Sequence, residues 1–292
     1  KQWPGGPAWP NFWLALRIFR KSVLLVSILL KGSDMSNNPT TVIIGGVAGG
    51  MSTATRLRRN DENRTIIVLE ASGHVSFANC GLPYHVGGVI PDRSSLLLQT
   101  PEALKERFNL DVRVNTRASS IDPDEQTVTT ESGEVIRYDD LVLSPGATPF
   151  LPPIAGIETA YTLRTVEDVD RIATAVPGKE KAVIIGGGFI GLEMAENLRH
   201  QGLAVTLVEA GSQIMGPLDV EMAAIVAKHM RDNGVDIRTN AQATEISETG
   251  VTLQNGQTLE ADLVIAAIGV RPASELAQAA GLEVSDRCGI IV

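Results

Sequence analysis

The chain has 292 residues, which at about 150 residues per domain points to two domains. Apolar residues make up 43% and aromatics 4%, with 28 glycines, so disorder, a collagen-like fibre and a disulfide-rich scaffold are excluded and an α/β protein with many tight turns is favoured. Two cysteines cannot build a disulfide framework, which points to a reducing cytoplasm, and a net charge of −9 argues against nucleic acid as the main partner.

Residues 1–34 stand apart from the rest. They carry Lys1, Arg17, Arg20, Lys21 and Lys31 against one acid, Asp34, and they hold all the tryptophans, Trp3, Trp9 and Trp13. Arg17, Arg20 and Lys21 interrupt the apolar stretch Phe12–Leu30. The uninterrupted run Val23–Leu30 falls far short of the roughly 20 residues a membrane helix needs. No small-residue cleavage site follows Lys31-Gly32-Ser33-Asp34. Met35 therefore reads as the natural start and 1–34 as an upstream leader, non-native or disordered. A membrane-surface anchor is the lesser reading.

From Thr41 onward one plan occurs twice. The β-branched run Thr41–Ile44 enters Gly45-Gly46-Val47-Ala48-Gly49-Gly50, a helical stretch Ser52–Asn60 follows, and the apolar run Thr65–Leu69 ends at Glu70. Later, Ala182–Ile185 enters Gly186-Gly187-Gly188-Phe189-Ile190-Gly191, a helix is expected over Leu192–His200, and Ala204–Val208 ends at Glu209. The first glycine and the acid are 25 residues apart in one copy and 23 in the other. The tails match as well: Asp111-Val112-Arg113-Val114-Asn115 answers Asp236-Ile237-Arg238-Thr239-Asn240, and turns are expected at Ser132-Gly133 and Asn255-Gly256. Each copy closes on a strand of buried type and a glycine turn, Leu141–Gly146 and Leu263–Gly269. Pro149–Pro153 reads as the crossing between the units.

A glycine loop between strand and helix lets backbone approach a pyrophosphate, whose charge the free N–H groups of the helix start stabilise. The acid closing the second strand suits ribose hydroxyls. Alone the glycine pattern is weak, but here it sits in the strand–turn–helix–strand–acid context. Two such units imply two nucleotides. The first loop is less regular, with Val47 where glycine normally allows closest approach. A carboxylate at Glu209 repels a 2′-phosphate, and Ala210-Gly211-Ser212-Gln213 offers no basic side chain, so NADH is favoured over NADPH.

Cys80 lies in Val75-Ser76-Phe77-Ala78-Asn79-Cys80-Gly81-Leu82-Pro83-Tyr84-His85. One reading is a buried, inert cysteine. The other is a thiolate at a loop-to-helix junction, where helix N–H groups favour the charged form. The residues alone leave both open. His74, His85, His200 and His229 are scattered without ligand spacing, so no metal site is expected, and no G-x-S-x-G elbow supports a serine hydrolase.

Together these motifs resemble the FAD- and NAD(P)H-dependent pyridine nucleotide–disulfide oxidoreductases. His85 stands where a C-x₄-C branch would place its second cysteine. The stretch Ser76–Tyr84 is similar to the single-cysteine branch, the coenzyme A-disulfide reductases and NADH-dependent polysulfide reductases. Leu98-Gln99-Thr100-Pro101-Glu102, Ser144-Pro145-Gly146-Ala147 and Gly269-Val270-Arg271-Pro272 share that likeness, which runs from Met35 to Val292.

The resemblance implies a fold of two tandem Rossmann-like domains, the NAD unit inserted in the FAD unit. Residues 35–150, continued by 270–292, would bind FAD, and residues 151–269 NAD(P)H. It implies FAD contacts at Gly45, Gly46, Val47, Ala48, Gly49, Gly50 and Glu70, at the return loop Ser144, Pro145 and Gly146, and at the Ala118 backbone. It implies nicotinamide-nucleotide contacts at Gly186, Gly187, Gly188, Phe189, Ile190, Gly191, Glu193, Glu209 and Gly269. Phe189 matches the ring that covers the flavin until nicotinamide displaces it. Cys80 matches the redox cysteine, and Ser52, Arg56, Arg59, Ser76 and Asn79 match positions that hold coenzyme A. Arg56 and Arg59, three apart on a helix, otherwise read as a solvated charged face.

The implied activity is reduction of coenzyme A disulfide, polysulfide or persulfide through a Cys80 mixed disulfide. The alternatives are an NADH oxidase or peroxidase using a Cys80 sulfenic acid, and a nucleotide-binding fragment without activity. The family extends beyond the point where this sequence stops, with a Gly-Asp motif at the flavin and a dimerisation domain. The expectation is that the parent is a homodimer, and that this chain is a monomer binding FAD weakly.

Overall fold

The computed structural model describes residues 38–292, so the leader lies outside the described residues. The first unit begins with β1 (Thr40–Ile44), α1 (Ala48–Asn60) and β2 (Thr65–Leu69). It continues through α2 (Leu82–Val86), α3 (Pro101–Phe108), β3 (Asp111–Arg113), β4 (Ala118–Asp122), β5 (Thr127–Thr130), β6 (Val135–Arg137), β7 (Asp140–Leu143) and β8 (Ala147–Pro149). The second unit follows with α4 (Val166–Ala175), β9 (Lys181–Ile185), α5 (Phe189–His200), β10 (Ala204–Val208), α6 (Val220–Asp232) and β11 (Val235–Arg238). It ends with β12 (Ala243–Ser247), β13 (Gly250–Leu253), β14 (Thr258–Glu260) and β15 (Leu263–Ala266), after which β16 (Val270–Pro272) pairs with β8 and α7 (Glu275–Ala279) returns to the first unit, its Leu276 packing against the cluster of Val42, Ile44 and Ile121.

Two parallel four-stranded sheets result, in the orders β3-β2-β1-β7 and β11-β10-β9-β15. The strands β1, β2, β9 and β15 are aliphatic runs rich in Val and Ile and buried on both faces, as parallel sheets require. Each sheet has a three-stranded antiparallel companion, β4-β5-β6 and β12-β13-β14. The expected hairpin turns are present, with Gly133 at φ +86° and Gly256 at φ +84°. The duplication extends to single hydrogen bonds. Asn115 and Asn240 are both left-handed, at φ 52° and 51°. Their N–H groups donate to Ser72 and Gly211 carbonyls, and the next N–H groups, of Thr116 and Ala241, donate to the Glu70 and Glu209 carbonyls.

Three features differ from the sequence reading. Both helices begin inside the glycine loops, at Ala48 and Phe189, several residues before the apolar periodicity starts. Low helix propensity hides glycine-rich first turns. Second, β15 is buried throughout, whereas β7 is only half-buried. The free edge of β15 is closed by Tyr161, whose N–H donates to Val264 and whose carbonyl accepts from Ala266, and no such cover lies on β7 among the described residues. Third, the crossing at Pro149–Pro153 is two-stranded. β8 pairs with β16, and the Arg271 guanidinium lies 4.1 Å over the Phe150 ring.

The hydrophobic core does not divide at the crossing. Phe77, Leu82, Val86 and Leu96 from the Cys80 segment belong to the same cluster as Val166, Val169, Ile172, Met194 and Leu198. The segment that follows the first unit's acid is therefore packed into the second unit. No helix among the described residues is long and apolar enough to cross a membrane.

Candidate functional site

The two glycine loops are built alike. Gly45 and Gly186 take φ of +106° and +110°, and a Cβ on either would sit 2.0 Å from the Ser144 carbonyl oxygen or 2.4 Å from that of Ala267. Only glycine permits both the dihedral and this approach of the return strand. A Cβ on Gly50 would lie 1.7 Å from the Gly45 oxygen, and one on Gly191 2.0 Å from the Gly186 oxygen. These glycines let each helix start press against the loop below it.

Gly188 is different: a Cβ there would meet nothing within 4 Å. Protein packing therefore does not explain it, and the space in front of it is open. Val47, at the corresponding point of the first loop, packs against the cluster that carries Phe77 and Leu82. Neither Val47 nor Gly188 caps its helix with a side chain. The first-turn N–H groups of α1 and α5 are thus available to an anion. An open cradle above an uncapped helix start fits a pyrophosphate at the second loop, and the first loop shares the uncapped helix start.

The two acids hold these loops in shape. Glu70 is 8% exposed and accepts from Gly46 N–H at 2.7 Å, and from Ser72 N–H and Oγ at 2.8 and 2.7 Å. Glu209 accepts from Gly187 N–H at 2.7 Å and from Gly211 N–H at 2.6 Å. Glu70 Oε1 already accepts twice, whereas Glu70 Oε2 and both oxygens of Glu209 each retain a lone pair for a hydroxyl. Ala210 and Gly211 beside Glu209 are exposed and carry no charge.

Cys80 is exposed, in the tight turn Asn79–Gly81 that runs into α2. The buried-cysteine reading is thereby excluded. Asn79 is exposed, and Ser76 takes φ 46° while its N–H donates to the Gly46 carbonyl, so this segment starts directly on the first glycine loop. Ser52, Arg56 and Arg59 are exposed on α1, and neither arginine is tied into an ion pair among the described residues. Arg58, in the same basic run, is buried and donates to the carbonyls of Asp61, Glu62, Phe108 and Asn109. It closes the ends of α1 and α3, a role that the spacing of basic residues did not reveal.

On α5, Phe189 is 64% exposed and Ile190 follows it at the surface. Glu193 lies one turn on, its carboxyl pushed up by burial and by Glu196. Tyr84 on α2 faces this helix. Burial first, then Glu193, Glu196 and Cys80 raise its phenol, so it keeps its proton at neutral pH. The sequence reading missed Tyr84. It also missed Arg164, whose Nη2 donates to the Pro145 carbonyl at 3.2 Å and so joins the second unit to the return loop. Gly146 and Gly269 are exposed at the ends of the return strands, and Ala118 opens β4 beside a bulge. Among the described residues no group of His, Cys, Asp or Glu could hold a metal ion.

The profile of the pyridine nucleotide-disulphide oxidoreductases matches residues 39–292. A coenzyme A disulfide reductase of Staphylococcus aureus (strain JH9) is 33% identical over 262 residues, covering 87% of this chain and 59% of that protein. The crystal structure of reduced Bacillus anthracis CoADR-RHD superposes with a TM-score of 0.83 at 46% identity, over 87% of this chain and 48% of that one. An NAD-dependent persulfide reductase from A. fulgidus gives 0.82 at 38% identity, over 85% and 49%. The chain thus spans about three-fifths of the length of the curated relative and half that of the solved ones. The match over nearly all the described residues, on a fold of two parallel α/β sheets with paired glycine loops, makes this chain a member of the pyridine nucleotide-disulphide oxidoreductase family.

Proposed function

We propose that the protein reduces a small disulfide, coenzyme A disulfide or a polysulfide or persulfide, with NADH as donor, FAD as relay and Cys80 as the reacting sulfur. The observation that carries this reading is the exposed Cys80 on a turn that starts at the first glycine loop and packs into the second unit. A thiol there is reachable by substrate, and its segment adjoins the first glycine loop and packs with α5 of the second unit. Residues 35–150 with 270–292 form the FAD unit in this reading, and residues 151–269 the NADH unit.

When bound, FAD would pass two electrons from NADH toward the sulfur. The chain's own residues do the rest. The loops Gly45–Gly50 and Gly186–Gly191 hold the two pyrophosphates against the starts of α1 and α5. Glu70 and Glu209 keep those loops closed and accept ribose hydroxyls. Ser144, Pro145 and Gly146 back the first nucleotide, and Phe189 yields its place to nicotinamide beside Glu193. Cys80 as thiolate attacks one sulfur of the disulfide, forms a mixed disulfide and releases one thiolate. Two electrons then cleave that bond, restoring the Cys80 thiolate, and the second thiol leaves with a proton. The net change is NADH, one proton and one disulfide to NAD⁺ and two thiols. Arg56 and Arg59, exposed on α1 and outside any ion pair among the described residues, suit the phosphates of coenzyme A, with Ser52, Ser76 and Asn79 as further polar groups.

The test is NADH oxidation by the FAD-loaded protein with coenzyme A disulfide, with polysulfide, and with oxygen alone. Thiol release matching NADH consumed supports the proposal. A water-forming NADH oxidase from Lactobacillus brevis matches the fold at 26% identity with a TM-score of 0.79. Oxygen consumption without any disulfide turnover would favour that reading instead.

A further inference from the structure

We propose that Arg93 and Asp170 are positioning residues that set the Cys80 turn against the second unit, an inference that rests on the redox role proposed for Cys80. Arg93 opens the tight turn Arg93–Leu96, which lies directly under the Cys80 turn. The Leu96 carbonyl accepts from Ala78 N–H at 2.8 Å. The Leu96 side chain closes on Gly81, where a Cβ would meet its Cδ2 at 3.0 Å. Leu96 therefore touches the residues on both sides of Asn79-Cys80. Phe77 bridges Leu97 in the same support.

This support is fixed to α4 from the far end. The Arg93 guanidinium grips Asp170 with both forks, Nε to Oδ1 at 2.6 Å and Nη2 to Oδ2 at 2.7 Å. Nη2 also donates to His74 Nε2 at 3.1 Å, because a guanidinium cannot accept. One turn earlier on α4, Glu167 accepts Gly73 N–H at 2.9 Å. His85 Nδ1 on α2 bonds the Ile90 carbonyl at 2.7 Å. Polar groups thus brace both ends of the 73–97 segment against one face of α4, and the apolar cluster fills the middle.

Both partners are about two-fifths exposed, so the pair adds little to global stability. What a bidentate fork adds is direction. It fixes the angle at which the Arg93–Leu96 turn meets Ala78 and Gly81, and through them the sulfur. A displacement of about 1 Å at a reacting atom costs as much as a hundredfold in rate. A lysine at 93 keeps the charge and loses the fork.

The test compares wild type, Arg93→Gln, Arg93→Lys and the exchange Arg93→Asp with Asp170→Arg, all FAD-loaded. Hydrogen–deuterium exchange is expected to rise about tenfold at amides 76–82 in both single variants, with the sheets of the two units unchanged. Coenzyme A disulfide turnover at saturation is expected to fall about tenfold or more, while flavin reduction by NADH stays within about twofold. The exchanged pair recovers most of both losses, which a merely structural role for either residue alone would not give. Unchanged exchange at 76–82 overturns the proposal. So does unchanged turnover in an enzyme that is active. If wild type reduces no disulfide, the assigned reaction fails, and the exchange data still decide whether the pair positions the turn.

Discussion

The contrast between Gly188 and Gly191 tests whether one glycine is kept for a ligand and the other for packing. An alanine Cβ at 191 would lie 2.0 Å from the Gly186 carbonyl oxygen. Ordinary contact is about 3.5 Å, so α5 or its loop must shift by about 1.5 Å. Overpacking of that kind costs about 1–3 kcal/mol, or about 2–10 °C in Tm for a chain of this size. At 188 the backbone has φ −83° and ψ −172°, which any residue adopts, and the added methyl meets nothing. Gly188→Ala should therefore melt with wild type. If NADH passes where that methyl would sit, the same clash of about 1–3 kcal/mol appears in binding instead, weakening NADH about 5- to 150-fold. Calorimetric titration of the FAD-loaded protein with NADH, beside thermal melts, measures both. Normal NADH affinity in Gly188→Ala would refute the assignment of this loop. A wild-type melting point in Gly191→Ala would refute the packing account.

Other outcomes follow from the same contacts. Arg58→Ala leaves the carbonyls of Asp61, Glu62, Phe108 and Asn109 without their shared donor, and should cost about 3 kcal/mol in urea denaturation. Arg56→Ala with Arg59→Ala should change stability by less than about 1 kcal/mol yet raise KM for coenzyme A disulfide, and an unchanged KM would return both residues to the solvated-face reading. Glu209→Ala with Ala210→Arg should move preference from NADH toward NADPH in steady-state kinetics. A wild-type enzyme preferring NADPH would overturn that reasoning. The Arg93 guanidinium holds the Asp170 carboxyl below its ordinary range. With the folded value depressed, the pair's contribution is present above the unfolded pKa of about 3.9 and is lost as pH falls through the folded one. The small gap in Tm between wild type and Arg93→Gln should therefore close in acid. A gap that widens in acid would contradict the sign.

Much of this molecule is legible in the sequence because its chemistry is local. A glycine loop, the helix after it and the acid closing the next strand fall within about one βαβ unit, so spacing alone reports them. Repetition of the pattern made the two sheets readable, down to the paired Asn115 and Asn240. What spacing does not report is contact across distance. Arg93 and Asp170 are 77 residues apart, and neither sits in a motif. Arg58 differs from Arg56 and Arg59 only in the side of α1 that it occupies. The starts of α1 and α5 were hidden because glycines that would weaken an isolated helix are required there by the carbonyls they approach. The cover on β15 comes from Tyr161, which lies ahead of α4 and far from β15 in sequence.

The role of Cys80 is tested most directly by Cys80→Ser. Serine keeps the size and removes the nucleophile, while the glycine loops and their acids are untouched. NADH should still reduce the bound flavin in a single turnover, since that step does not use the sulfur. NADH oxidation driven by coenzyme A disulfide or polysulfide should vanish, because no mixed disulfide can form. Disulfide-dependent rates near those of wild type in Cys80→Ser would contradict the account.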